Sequence, residues 1–450
     1  MAKRQFGLTI YKILKIKEKV LCFLFYFVHF CATMQCMKIG IITLGCKVNQ
    51  YESGAIKEEL EKDGHTVVTD LQPADLYILN TCAVTGIAEK KSRAHIAKIA
   101  KLNPNAKVIV CGCASEHNKE QFLKKPNVSA VIGTAGKNKI PQILNAVGNL
   151  SVDIPNTYEN FTFNTTSRTR AYLKIQDGCN NFCSYCLIPF VRGRSRSRDL
   201  NSIVAEADEL SKTNKEVVLT GIDISDYKID GQKAFPKLMQ ALSTNSCRIR
   251  ISSLECGIVN DELLTVLKNM PNFCPQFHLS MQSGCDKILK LMNRHYTSSQ
   301  FLDKVNLIKK YFPNCALTTD VIVGFPTETD VDFAETLQTI KKANFYEMHI
   351  FPYSKREGTV ASKMPMVDGN VVNKRVQVLE KLNSQNKANY INSQTGVLHC
   401  LTESLEGDFV VGYTENYIKI YLPKDTLLHQ IVPVCNLQLF KDGAKAKICD

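Results

Sequence analysis

Three of the eighteen cysteines fall within eight residues, Cys179-Asn-Asn-Phe-Cys183-Ser-Tyr-Cys186, a C-x3-C-x2-C run. Thiolates spaced in this way on one loop can hold three irons of a cubane iron–sulfur cluster. No fourth cysteine follows nearby, so one iron keeps a vacant position, and an open corner can bind and activate a small molecule. The competing chemistry is a zinc site, in which C-x2-C pairs dominate and a fourth Cys or His lies close by. His278 and His295 are remote along the chain, and the spacing favours the cluster.

Such a loop needs a scaffold, and the chain has the material for one. Its 450 residues imply two to four domains, and 44% hydrophobic with 22% charged residues excludes disorder, collagen and coiled coil as whole-chain readings. A secreted disulfide scaffold is excluded by the large core; in a reducing cytosol clustered cysteines ligate metal. From Met37 the pattern alternates: Ile39–Leu44, Leu76–Leu79 and Lys107–Cys111 are apolar strand candidates, with helical Glu52–Lys62 and Glu89–Leu102 between them. Such alternation predicts a parallel sheet covered by helices over residues 37–148. Residues 149–168 have no sustained period and read as a linker.

Over residues 169–393 six further strand candidates alternate with helices: Tyr172–Ile175, Val217–Leu219, Arg248–Ile251, Phe277–Leu279, Thr319–Val323 and Glu347–Phe351. About six βα units suit a partial (β/α) barrel. Residues 394–450 change to short alternating strands, the pattern of a small all-β barrel. The expected fold class is therefore α/β, with a parallel-sheet domain, a central partial barrel and a carboxy-terminal β-barrel.

The net charge is +13, of which +5 belongs to residues 1–36. The remaining surplus favours a polyanionic partner. Within the first 36 residues, Val20–Ala32 is apolar apart from His29 and follows a basic run. That outline has the parts of a signal peptide but is too short to span a bilayer. Met37 opens directly into a strand pattern, so the expectation is that residues 1–36 are a non-native or disordered extension, with a cytoplasmic protein and no membrane association.

A C-x3-C-x2-C loop at the end of the first strand of a (β/α) barrel resembles the radical S-adenosylmethionine (SAM) superfamily. There the vacant iron chelates the amino and carboxylate groups of SAM, and reduction cleaves the sulfonium to a 5′-deoxyadenosyl radical. Outside the loop, Leu44-Gly-Cys46-Lys-Val-Asn-Gln-Tyr-Glu52, Asn80-Thr-Cys82-Ala-Val84 and Cys111-Gly-Cys113 resemble the amino-terminal signature of the methylthiotransferases. Each of Cys46, Cys82 and Cys113 follows an apolar strand, and strand ends of a parallel sheet converge on one edge. The resemblance implies a second, auxiliary 4Fe-4S cluster on these three, beside the radical SAM 4Fe-4S cluster on Cys179, Cys183 and Cys186. Cys111 competes with Cys113 for the third position; the family pattern favours the cysteine after Gly112. Two clusters suit replacement of an aromatic C–H by C–S–CH3, one making the radical and the other delivering methylthio. A flavodoxin- or ferredoxin-like reductant is implied with them.

Arg250–Glu255, His278–Thr297 and Asp320–Thr329 resemble the family's motifs around the SAM pocket, and Gln282 and Asp320 are the residues expected to line it. Thr220–Asp226 departs from the family string, which leaves Asp223 without an assigned contact. Arg192, Arg194, Arg196 and Arg198 alternate after the cluster loop; if extended they would face one side and grip phosphates, against the alternative of a solvated charge run. Residues 396–450 resemble the TRAM domain, an RNA-binding β-barrel, with Tyr413 and Tyr417 placed to stack on bases and Lys419 near phosphate. The string Gly45–Glu52 most resembles the branch modifying N6-threonylcarbamoyladenosine (t6A) at tRNA position 37. The branch acting on isopentenyladenosine carries a different string after its first cysteine, and a third branch modifies an aspartate of ribosomal protein S12.

Overall fold

The computed structural model describes residues 36–161 and 169–449. The apolar stretch at 20–32 and part of the 149–168 linker lie outside the described residues. The expected fold class is the observed one, an α/β chain ending in a small β-barrel.

The first sheet is six-stranded and wholly parallel. Its strands are β1 (Lys38–Thr43), β2 (Thr66–Val68), β3 (Leu76–Thr81), β4 (Lys107–Gly112), β5 (Val128–Val131) and β6 (Gly148–Asn149), in the order β2-β1-β3-β4-β5-β6. Every residue of β3 is buried, as a strand covered on both faces requires. The connecting helices α1 (Lys47–Lys62) and α2 (Gly86–Leu102) begin beside Cys46 and Cys82. Cys113 opens the short helix α3 (Cys113–His117) directly after β4. All three cysteines therefore lie at the carboxyl edge of adjacent strands β1, β3 and β4.

The central region carries six main parallel strands in two sheets, β7 (Arg170–Lys174), β8 (Glu216–Thr220) and β9 (Arg248–Ile251), then β10 (Gln276–Leu279), β11 (Ala316–Val323) and β12 (Glu347–Pro352), with the two-residue parallel strand Ser253–Leu254 flanking β10. A bridge between Ile249 and Phe273 links the two arcs. The sequence pattern marked all six strands, each within a few residues of its observed ends. A single hydrophobic cluster runs from Ala171 to Leu379 and takes in Tyr51 and Ala55 of α1, so the first sheet domain and the partial barrel share a core. Helix α4 (Ile188–Val191) follows the cluster loop and packs against α3.

Helix α5 (Gly369–Asn392) leads to a closed five-stranded barrel: β13 (Leu398–Glu406), β14 (Phe409–Thr414), β15 (Lys419–Pro423), β16 (Ile431–Phe440) and β17 (Gly443–Ile448). Closure removes the exposed edges that so small a sheet would otherwise present. Cys435 and Cys449 are joined by a disulfide at its end. No described helix is long and apolar enough to cross a membrane.

Candidate functional site: two cysteine triads

Cys46, Cys82 and Cys113 are brought together by glycines that let three loops close on one point. Gly45 has φ +94°, and a Cβ there would stand 2.7 Å from the sulfur of Cys82. Gly112 has φ +103°, and its Cβ would meet the Thr81 carbonyl oxygen at 2.5 Å. Both conformations are strained for any L side chain. Hydrogen bonds fix the junction. Asn49 Nδ2 donates to the carbonyls of Leu44 (2.8 Å) and Thr81 (2.9 Å), while Thr81 Oγ1 donates to the Cys111 carbonyl at 2.7 Å.

Burial pushes the Cys82 thiol up to about 12, and the neighbouring thiols of Cys113 and Cys46 add to the shift. Cys113 is raised by burial too, against the pull of Arg192. Thiols held this close and this dry stay protonated until a cation compensates them, as a metal–sulfur cluster does. The donor set therefore fits an iron–sulfur centre. Cys111 packs instead in the apolar cluster on the other side of the sheet with Ile39, Ile56 and Ile140. The alternation of β4 separates the two cysteines, and Cys113 is the one beside Cys46 and Cys82.

The second triad lies on one loop. The backbone N–H groups of Asn181 and Ile188 point at the sulfurs of Cys179 and Cys186, each at 3.4 Å. Arg294 Nη1 reaches the Cys183 sulfur at 3.4 Å, while its other nitrogen pairs with Glu255. Three thiols ringed by donors suit a second anionic cluster. Cys186 is raised to about 12 by burial, and Cys183 and Cys113 raise it further. Cys113 opens α3, α4 begins two residues after Cys186, and the two helices pack together, so the triads belong to neighbouring elements.

A cavity of about 340 Å³ opens beside this loop, lined by Asn181, Asp223, Ser225, Glu255, Arg294 and Tyr296 among others. Asp223 is held at its rim. Gln176 Oε1 accepts its backbone N–H at 2.7 Å, and Asn181 Nδ2 donates to its carboxylate at 3.1 Å. Burial lifts Asp223 to about 6, with Glu255 and Asp226 adding to the rise. Asp320 is not part of this cavity. It lines a second one of about 260 Å³ in the barrel interior, where His278 Nε2 stands 3.3 Å from its Oδ2. Gln282 takes a left-handed backbone (φ +62°), exchanges main-chain hydrogen bonds with Asp320 and Ile322, and lines neither cavity.

The expected row of phosphate-gripping arginines is not formed, a correction with a clear cause. The Arg192 guanidinium is buried. It donates to Glu52 (2.9 and 3.2 Å), to Asp177 (3.1 Å), to Asn49 Oδ1 (2.6 Å) and, through Nε, to the Cys113 sulfur at 3.2 Å. Arg196 is buried and donates to the carbonyls of Arg192 and Arg194. Arg198 is buried against Glu206 at 2.5 Å. Carboxylates from α1 and from elsewhere in the barrel domain claim these charges, so alternation in sequence does not become a shared face. Arg194 alone is exposed, over the Phe182 ring at 4.3 Å.

Lys137 and Lys174 complete the buried network, each bonded to Glu52 at 2.6 and 2.8 Å. Burial alone would raise Glu52, but Arg192, Lys137 and Lys174 hold it well below the usual carboxylate range. This network escaped the sequence reading. The one signal was Glu52 itself, three residues after Asn49 and so on the same face of a helix.

In the carboxy-terminal barrel Tyr413 and Tyr417 stack on each other, ring centroids 4.8 Å apart. Arg170 lies over both, and Arg250 over Tyr417. Tyr417 faces the interior cavity of the barrel domain. Lys419 is engaged by Glu406 and Asp442 at 2.8 and 3.1 Å. Tyr413 and Lys419 are register partners on neighbouring strands, and all three residues have protein partners already.

Residues 38–133 match the family model described as uncharacterized protein family UPF0004, and residues 173–340 match the radical SAM superfamily. The chain is 39% identical over 420 residues to the threonylcarbamoyladenosine tRNA methylthiotransferase MtaB of Bacillus subtilis (strain 168), covering 88% of this chain and 93% of that one. It belongs to the methylthiotransferase family of radical SAM enzymes. The Thermotoga maritima protein of the same name is 37% identical, with 85% and 90% of the two chains covered. A tRNA-2-methylthio-N(6)-dimethylallyladenosine synthase of Thermoanaerobacter sp. (strain X514) is 36% identical over 77% of each chain. The methyltransferase TsrM of Kitasatospora setae shares the fold, with a TM-score of 0.54 at 12% identity, covering 73% of this chain and 74% of that one. This methylthiotransferase uses SAM and an iron–sulfur cluster.

Proposed function

We propose that the chain adds a methylthio group to C2 of N6-threonylcarbamoyladenosine at tRNA position 37. The observation that carries this reading is the presence of two separate thiol triads beside the packed helices α3 and α4, in a chain whose relatives named for that reaction cover nearly its whole described length. Two 4Fe-4S clusters are assigned, one to Cys46, Cys82 and Cys113 and one to Cys179, Cys183 and Cys186. When bound, they supply reductive cleavage of the SAM sulfonium and a held sulfur for transfer.

The chain's own residues prepare the site. Arg192 places a positive charge on Cys113, and Arg294 does the same for Cys183. Asp223, Glu255 and Arg294 present two carboxyl groups and a guanidinium to the cavity beside the loop, groups suited to hydrogen bonds with the hydroxyls of SAM. Residues 37–148, 169–393 and 394–450 act as sulfur-delivering, radical-generating and RNA-holding units, the last in the manner of a TRAM domain. A flavodoxin- or ferredoxin-like protein in the cytoplasm supplies the electron.

The test is nucleoside analysis of tRNA from a strain lacking this chain. The 2-methylthio derivative of t6A should vanish and t6A should accumulate. Loss of 2-methylthio-isopentenyladenosine, or of the S12 modification, with t6A chemistry intact would overturn the proposal in favour of those branches. Reconstituted protein should hold about eight irons.

A further inference from the structure

The interior cavity is lined by charged groups, and nearly all of them are already matched. Arg170 pairs with Glu403 at 2.6 Å and Arg250 with Glu216 at 2.7 Å. Glu347 pairs with Lys387 at 2.8 Å, and Asp320 with His278 at 3.3 Å. Lys47 stands apart. Its side chain opens into the cavity, and no carboxylate reaches it within ion-pair distance among the described residues. Of the Lys and Arg side chains that line the cavity, Lys47 is the one without an ion-pair partner among the described residues, so it is placed to receive an anion.

Position identifies that anion. Lys47 directly follows Cys46, a member of the triad from which methylthio is delivered. On the adenine ring C2 and C6 both adjoin N1. A base that offers C2 to the triad therefore brings the substituent on N6 within a side chain's length of the same place. In t6A that substituent ends in a carboxylate; in the isopentenyl nucleoside it ends in methyl groups. We propose that the Lys47 ammonium receives the threonyl carboxylate and so determines which N6 substituent the site accepts, a step that rests on the t6A reading above.

The cavity also holds His278, Asp320 and His349, whose ligand atoms lie within 4.8 Å of one another. A divalent cation there is the competing occupant. It would sit among Lys47, Arg170 and Arg250 and would have to displace the His278–Asp320 hydrogen bond, so the field favours an anion.

The experiment compares affinities of reconstituted protein for anticodon stem–loop RNAs carrying t6A, unmodified adenosine or isopentenyladenosine at position 37. A charge-assisted pair implies a preference for t6A over adenosine on the order of 10- to 100-fold. Lys47→Gln should bring that preference close to unity, and Lys47→Arg should keep most of it. Lys47→Gln protein with full iron content that still prefers t6A overturns the proposal. Should the Gln variant lose iron, Lys47→Arg decides: full iron with the preference kept supports the pair, and full iron without it does not. A preference that survives Lys47→Gln but disappears when trace divalent ions are chelated, with the clusters' absorption unchanged, assigns the cavity to a metal instead. Wild-type protein that prefers the isopentenyl RNA sinks the t6A reading itself, an outcome separate from all of these.

Discussion

The two cysteine triads reach a similar end by opposite routes. Cys179, Cys183 and Cys186 sit on one loop, and the backbone of that loop supplies donors to two of its own sulfurs. Cys46, Cys82 and Cys113 come from three strand ends and meet only because a parallel sheet aligns β1, β3 and β4. The loop triad can be specified locally. The sheet triad needs two left-handed glycines, an asparagine clamp and a buried ionic network that reaches into the neighbouring barrel domain. A centre assembled from distant segments is thus tied to the fold of two domains at once, and its chemistry and its stability cannot be separated.

The sharpest way to break the comparison is to remove one thiol from each side. Cys179, Cys183 or Cys186 changed to Ala should abolish SAM cleavage, read as loss of 5′-deoxyadenosine. Cys46, Cys82 or Cys113 changed to Ala should leave cleavage in place and stop methylthio transfer, with about four irons retained. Modified tRNA from the second group would dismiss the auxiliary assignment.

Next in size is Glu52→Gln, which leaves Arg192, Lys137 and Lys174 buried without their shared carboxylate. Breaking such a network costs about 3–5 kcal/mol, measurable by denaturant unfolding. The variant should also lose iron from the sheet triad before the loop triad; an unchanged midpoint would show that the network does not tie the two domains.

Glu206 offers a smaller effect with a definite sign. Burial raises it to about 7 from its ordinary 4.5, despite Arg198. Between those two values the unfolded chain releases the proton while the folded chain keeps it, so stability falls as pH rises across that window. Glu206→Gln should flatten the slope of Tm against pH there, and a slope unchanged by the substitution would refute the assignment.

Arg194→Ala should have the least consequence: a roughly two- to threefold loss of tRNA affinity, with the salt dependence falling by about one contact. Filter binding over a salt series measures it. An effect as large as that of Arg192→Ala on folding would contradict the exposed position of Arg194.

Much of the scaffold could be read directly. Alternating periods marked the strands of both α/β regions because burial on two faces makes a strand continuously apolar. The C-x3-C-x2-C loop could be read because its geometry is contained in eight residues. The arginine string misled for the converse reason. VRGRSRSR carries no trace of Glu52, which lies far away in the chain and pairs with Arg192, or of the way the helix that follows the string folds Glu206 back onto Arg198. Asp320 lines the barrel-interior cavity rather than the one beside the cluster loop, a placement that a strand motif does not state.

The amino-acid sequence by itself determined the cysteine spacings, the strand–helix rhythm and the kinship with methylthiotransferases, since each rests on neighbours in the chain or on strings a few residues long. Only the tertiary structure decided that Cys113 rather than Cys111 joins the sheet triad, that three arginines serve the interior, and that Lys47 faces a cavity without a counter-charge. Those outcomes depend on which distant groups share a dry volume, and the energy of a charge is set by everything packed around it.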